Sequence, residues 1–279
     1  MNNLIIMAGG MSSRMKKSTG NSQLSIEQKK LVQKVHKSLI PLGPKKRPLL
    51  FYLITNAVAA GYRNIYLITS PENIAFKKIV GRSETNNSYA GAKVHFAIQY
   101  LKKGYKKPLG TADAVQQAME QYPILKEQTF TICNGDNLYS MGALKDLLKP
   151  RKKMNALIAY ARSSLKFEND RISKFAVMDI SKSGFLKEII EKPDPKTVKM
   201  YKDMTGEIRI SMNIFSFYGK KLFPFLVACP IHNERKEKEL PEAIRLLNKK
   251  EPNQIICFNR SEHLLDLTSA EDIASFKNI

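Results

Sequence analysis

"LIIMAGGMSSRMKK", residues 4–17, is the stretch whose reading decides the fold. An apolar run of strand length breaks at once into two glycines, two serines and an arginine, which predicts a buried strand delivering a loop. Gly9 and Gly10 have no Cβ, so their backbone can approach a phosphate or a base and donate N–H bonds, and Arg14 adds a cationic fork suited to phosphate oxygens. A glycine turn after a first strand also serves many α/β proteins as a turn alone. In an open parallel sheet, however, ligands bind beyond the carboxyl ends of the strands, and that is where this loop is expected.

Outward from this stretch, further apolar runs recur at "NIYLITS" (64–70), "KVHFAIQ" (93–99) and "TFTICN" (129–134). Between them lie helical patterns, "RPLLFYLITNAVAAGY" (47–62), stopping at Gly61, and "GTADAVQQAMEQY" (110–122). The alternation predicts βαβ units, an α/β fold around a mixed, mostly parallel sheet flanked by helices. After residue 155 strands such as "NALIAYA", "FAVMDI" and "IRISMNIFSF" mix with the helices "KTVKMYKDM" and "ELPEAIRLLNKK". One domain over 1–279 is expected, with a half at 1–150 and an elaborated half at 151–279. Residues 16–36 are polar and lysine-rich, and are read as an insertion, partly mobile, covering the mouth of the site.

The chain has 279 residues and a formal net charge of +21. That charge admits nucleic acid, an acidic membrane face or small polyanions as partners, or a merely solvated surface. The three cysteines, Cys133, Cys229 and Cys257, show no CxxC spacing, which argues against a disulfide scaffold or zinc and fits a reducing cytoplasm. The apolar run at 4–8 is far shorter than the ~20 residues of a membrane span, so no membrane association is expected. His36, His95, His232 and His263 are scattered and are assigned no role.

Three further stretches carry chemistry. "CNGDNLYS" (133–140) ends a strand in a turn with Asp136, a carboxylate placed to hold a hard cation or simply to serve the turn. "EHLLDLTSAED" places Asp266 after two leucines and before a helix near Thr268; two such aspartates converging would make a metal site. "FLKEIIEKP" (185–193) is an alternating strand closed by proline, where Lys192 can neutralise a phosphate and Glu191 can accept bonds from hydroxyls.

The order of "MAGGMSSRM", "HKSLIPLGPKKRPLL", "PLGTADAVQQ", "CNGDNLYS", "IIEKP", "ISMNIFSF" and "LLDLTSAEDI" resembles the sugar-1-phosphate nucleotidyltransferases, over residues 3 to about 276. The resemblance implies a Rossmann-like nucleotidyltransferase (GT-A-like) fold. A nucleoside triphosphate and a sugar-1-phosphate would be the partners, giving a nucleotide-sugar and pyrophosphate. By likeness, Ala8, Gly9 and Gly10 meet the nucleotide, Arg14 reaches its phosphates, Lys37 lies at the reacting phosphates, and Gln99, Gly110 and Thr111 border the base. Asp136 and Asp266 would hold Mg2+; Glu191 would contact the sugar's hydroxyls, Lys192 its phosphate, and Ser211 and Asn213 the sugar pocket.

The sequence departs from that pattern in three places, one of them the final motif, where Leu267, Ser269 and His263 stand for residues expected to be glycine-, proline- and tryptophan-like. Ser12 stands where a third glycine is expected, a feature shared with cofactor-type relatives such as the molybdopterin guanylyltransferases. The spacer before Lys37 is long, so Lys16, Lys17 or Lys34 compete for its role. A basic nucleic-acid-binding protein and a nucleotide sensor on the same fold are the readings from other classes. No RNP-like strand, KH loop or basic reading helix supports the first. Sugar, base and any homo-oligomer stay open.

Overall fold

Leu4, Ile5 and Ile6 are fully buried in β1 (Asn3–Met7), as expected of a strand covered on both faces. In the computed structural model, which describes residues 2–22, 24–191, 193–198 and 200–279, β1 pairs in parallel with β2 (Asn64–Thr69). The short β3 (Asn87–Tyr89) runs antiparallel to β4 (Ala92–Ile98), and β4 continues the parallel set alongside β2. Registers of Met7 with Ile68 and of Thr69 with Ile98 bring three carboxyl ends out side by side.

These strands belong to a unit made of Asn2–Tyr100, Cys133–Leu144 and Leu264–Ile279. Four of its helices are α1 (Ser13–Ser18), α2 (Ile26–Lys34), α3 (Leu49–Ala60) and α4 (Ile74–Val80). The apolar spacing of Leu49, Leu50, Leu53, Ile54 and Ala57 buries one face of α3. Gly61 ends it at φ 117°, where the absent Cβ removes the left-handed penalty, and its N–H reaches the Ala57 and Val58 carbonyls.

The polar stretch 16–36 is seated on a core through Val32, with Leu24 and Val35 partly buried beside it and Met15 just before it. Ser25 caps α2 in a reciprocal pair with Gln28, and Met15 and Val32, each 1% exposed, pack with Ile40, Leu42, Leu49, Leu267 and Phe276. Polarity averaged over the stretch hides this, because a few apolar side chains on two short helices suffice to seat it once the final segment of chain supplies the other wall.

The second unit comprises Leu101–Ile132 and Lys145–His263. Its strands are β5 (Thr129–Asn134, whose last two residues belong to the first unit), β6 (Asn155–Ala161), β7 (Ala176–Ile180), β8 (Leu186–Ile190), β9 (Arg209–Tyr218) and β10 (Ile255–Arg260). They run β8-β7-β9-β5, with β6 also on β9 and β10 parallel to β6. The helices α5 (Thr111–Gln121), α6 (Gly219–Ala228) and α7 (Leu240–Lys250) belong to this unit. The sequence reading assigned no element to α6 or β10; Pro224 inside α6 masks its helical pattern. Neither unit is a continuous half of the chain, because Cys133–Leu144 and the final segment pack with the N-terminal strands.

Candidate active site

The first unit gathers the glycine loop, Lys37 and both aspartates. Ala8 leaves β1 buried, with its N–H on the Ile68 carbonyl at 2.9 Å. A Cβ on Gly9 would come within 3.2 Å of the Gln99 Oε1, so the missing side chain is what lets Gln99, at the end of β4, lie against the loop. A Cβ on Gly10 would meet nothing within 4 Å, so this residue borders open space. Arg14 is exposed on α1.

Ser12 adopts φ 55°, ψ 29°, the left-handed region, which explains why a glycine-like position is called for here. Its side chain supplies something glycine lacks: Oγ accepts the Lys37 N–H at 3.1 Å. The segment that follows α2 is sewn in by two more residues. Ser38 donates its hydroxyl to the Gly135 carbonyl at 2.7 Å, and its N–H donates to His36 Nδ1 at 3.1 Å. Gly135 lies so close to β1 that a Cβ would fall 2.9 Å from the Met7 carbonyl oxygen, while its own N–H donates to that oxygen.

Asp136 follows Gly135 directly, and the Lys37 ammonium forms an ion pair with its carboxylate, both side chains being largely buried. Asn137–Leu138 pairs antiparallel with Leu265–Asp266, and the Leu267 N–H donates to the Asp136 carbonyl at 2.8 Å. Two aspartates separated by 130 positions of sequence are thereby brought onto neighbouring backbone. The Asp266 carboxylate accepts the Thr268 hydroxyl at 3.1 Å. Instead of an α-helix near Thr268 there is a short 3-10 turn, Glu271–Phe276, with Asp272 accepting the Thr268 and Ser269 N–H groups.

His36, to which the sequence reading gave no role, proves to sit at the centre of this arrangement. Burial, and then the adjacent Lys37 charge, hold its pKa down at about 4, so the ring is neutral. Its position next to Lys37 was the one available signal. Lys17 and Lys34 are exposed, whereas Lys37 meets a carboxylate.

The remaining candidates fall in the second unit. Gly110, at φ 98°, packs so tightly that a Cβ would lie 2.6 Å from the Lys238 carbonyl oxygen, and the Thr111 hydroxyl accepts the Leu240 N–H at 2.9 Å. Ser211 is buried in β9, paired with Ala176 and Ala159. Asn213 sits where the register of β9 with β6 slips, at φ 53°. The β7–β8 register ends with Val177 opposite Ile190, one residue before Glu191. Glu191 also lines a cavity of about 850 Å³ with Glu188, His232, Arg235, Glu242 and Arg245. Lys192 lies outside the described residues.

Among the described residues no group of three or more His, Cys, Asp or Glu is placed to hold a metal, and no helix is long and apolar enough to cross a membrane. Three parallel carboxyl ends carrying a glycine loop, with a lysine and two aspartates beside it, define an α/β protein of the Rossmann-like nucleotidyltransferase fold. The crystal structure of a UDP-glucose pyrophosphorylase complexed with UDP-glucose shares that fold, with a TM-score of 0.69 over 99% of this chain and 96% of the other at 15% identity. The mixed, mostly parallel sheet flanked by helices that the sequence predicted is therefore borne out.

The chain belongs to the nucleotidyl transferase family, whose sequence model matches residues 4–274. A curated relative, glucose-1-phosphate adenylyltransferase 2 of Vibrio parahaemolyticus serotype O3:K6 (strain RIMD 2210633), is 25% identical over 215 residues. The match spans 76% of this chain and 48% of the relative, about half the relative's length.

Proposed function

We propose that this protein joins a nucleoside triphosphate to a sugar-1-phosphate, releasing pyrophosphate and forming a nucleotide-sugar. The observation that carries the reading is the Lys37–Asp136 ion pair, set beside the glycine loop on the strand ends and next to Asp266. In this reaction an oxygen of the sugar's phosphate attacks the α-phosphorus, a new P–O bond forms, and the bond to the β-phosphate breaks with pyrophosphate carrying off the electron pair. The nucleophile is already anionic, so no general base is required, and catalysis is positioning plus charge neutralisation. That suits a site whose one imidazole is held neutral and whose cysteines are buried.

The loop backbone at Ala8–Gly10 receives the nucleotide, with Gln99 beside it for the base. Lys37, leaving Asp136, neutralises phosphate charge as the triphosphate enters, and Arg14 meets the outer phosphates. Asp136 and Asp266 offer two hard carboxylates, and Mg2+ commonly takes one or two protein carboxylates when phosphate oxygens and water complete its shell. The donor set fits that ion, which would supply neutralisation of the phosphate charge. Glu191, Ser211 and Asn213 are assigned to the sugar, and Lys192 to its phosphate.

The test is pyrophosphate release with ATP, GTP, CTP, UTP and dTTP crossed against a panel of hexose 1-phosphates, with Mg2+. One pair turning over in preference to the others is expected. No release from any pair, with the protein folded, would overturn the reading.

A further inference from the structure

Four segments of the second unit meet at one end of its sheet. There β5 starts at Thr129, β6 at Asn155 and β10 at Ile255, while β9 finishes at Tyr218. Asn155 Oδ1 accepts the Tyr218 N–H at 3.1 Å, the Gly219 N–H donates to the Gln128 carbonyl at 2.9 Å, and Asn155 pairs with Ile255. Lys221 then ties the start of α6 to the finish of α7 through Glu251, at 3.0 Å. Residues 124–128, 151–155, 218–221 and 249–255 are thereby neighbours, and they carry seven lysines against two carboxylates.

Local stability does not explain this charge. Lys220 and Lys221 occupy the first turn of α6, which has no acidic residue there, and cations at a helix N-terminus oppose its dipole. Lys152, Lys220, Lys249 and Lys250 are exposed, and among the described residues none of them meets a carboxylate. Two apolar side chains stand exposed in the same segments, Ile124 at 52% and Met154 at 50%. Both flank Gly219, since Met154 precedes Asn155 and a Cβ on Gly219 would run into the Leu125 carbonyl. Arg151 is turned to other work: its guanidinium donates to the Leu147 and Met154 carbonyls and to the Ser216 hydroxyl. The Phe223 ring is covered by the Lys126 ammonium, 4.0 Å from its centroid.

We propose that this end of the second unit docks on an anionic lipid surface, its lysines meeting the head groups while Ile124 and Met154 enter the interface. Clustered lysines are drawn to a bilayer by its negative surface potential, and apolar side chains among them add burial in the head-group layer. Such docking needs no membrane-crossing helix, and it stands independently of the nucleotidyl-transfer reading. Nucleic acid is the less suited polyanion. Proteins that hold single strands stack bases on aromatic rings and arginines, whereas the ring and the guanidinium here are engaged and two apolar chains are left in water.

The experiment is cosedimentation of the full chain with vesicles of phosphatidylcholine, or of an equal mixture with phosphatidylglycerol, at low and high salt. Two triple variants carry the same change in net charge. One combines Lys152→Glu, Lys220→Glu and Lys249→Glu; the other combines Lys30→Glu, Lys45→Glu and Lys78→Glu, at exposed lysines of the first unit. The wild type is expected to bind the mixed vesicles, to leave the neutral ones, and to lose binding at high salt. The first variant should bind roughly 10²-fold more weakly, about fivefold for each lysine lost, and the second should stay within about threefold of the wild type. Ile124→Ser with Met154→Ser should weaken binding roughly tenfold. In the wild type, acetylation of Lys152, Lys220 and Lys249 by a soluble amine reagent should slow when mixed vesicles are added, a readout that needs no variant. No binding to mixed vesicles, equal loss in both triple variants, an unweakened apolar double variant, or unprotected lysines on vesicle-bound protein would each overturn the proposal. So would a wild type that ignores vesicles and binds single-stranded RNA through these lysines, which would assign this end to nucleic acid.

Discussion

Ser12 shows how one side chain can be both strained and needed. A non-glycine residue in the left-handed region costs about 1–2 kcal/mol, and the hydrogen bond from Lys37 returns roughly 1 kcal/mol of that. Ser12→Gly is therefore expected to change stability by less than ~1 kcal/mol, the relief and the loss nearly cancelling. Ser12→Val, β-branched and without an acceptor, should lose about 2 kcal/mol or more; urea unfolding of the pair measures both. At the aspartates, Asp136→Asn and Asp266→Asn should each lower turnover by at least ~10²-fold with the fold retained, the scale of one lost electrostatic stabiliser. The double variant should fall well short of the product of the two, since a pair acting as one site is lost with either member. Turnover near the wild-type level in either single variant would show that the two carboxylates do not act together.

At the scale of elements, α1 and α2 show why local polarity misleads. Met15 is buried among residues far along the chain, so Met15→Ala should destabilise by about 2–5 kcal/mol, which an uncommitted surface loop would not show. Losing the cap at Ser25 should remove about 1 kcal/mol. A second element is the loop held by Asp203, whose carboxylate accepts the Thr205 N–H and hydroxyl, the Glu207 N–H and the Arg209 Nε. Burial opposes its ionisation, but these hydrogen bonds outweigh that and hold its pKa at about 2, against an ordinary 3.8. A pKa depressed by folding stabilises the native state above the unfolded value, so this contribution is present above pH ~4 and is lost as pH falls toward ~2. Stability of Asp203→Asn should accordingly fall less steeply than that of the wild type across that window in acid titrations followed by circular dichroism.

At the scale of the whole molecule, the two units are discontinuous in sequence, and that has a measurable consequence. Leu267 and Phe276, both fully buried, complete the core that also holds Met15, Val32 and Leu49, and the Ala270 N–H donates to the Ser18 hydroxyl at 2.8 Å. Removing residues 264–279 should therefore unfold or loosen the first unit, although the cut lies far in sequence from the glycine loop; hydrogen exchange of β1 and α1 amides would report it. The three cysteines offer a test of global packing. Burial raises the Cys229 thiol to about 11 and pushes Cys133 and Cys257 up as well, so a thiol reagent at neutral pH should label none in the folded protein and all three in denaturant.

The strands at 64–69, 129–134 and 155–161, the helix stopped by Gly61, and the glycine loop after the first strand were all legible in the sequence, because apolar period and glycine are local properties of the chain. That Asp136 and Asp266 come onto neighbouring backbone was to be expected only through the ordered set of motifs. What the sequence could not show is which distant groups meet. That Lys37 lies on Asp136, and that Ser12, in the left-handed conformation, holds Lys37, depend on three separated stretches reaching one place. Val32 of the polar insertion and Met15 just before it became core for the same reason: burial is decided by what packs against a residue, and for both part of that partner lies more than two hundred positions away, at Leu267 and Phe276.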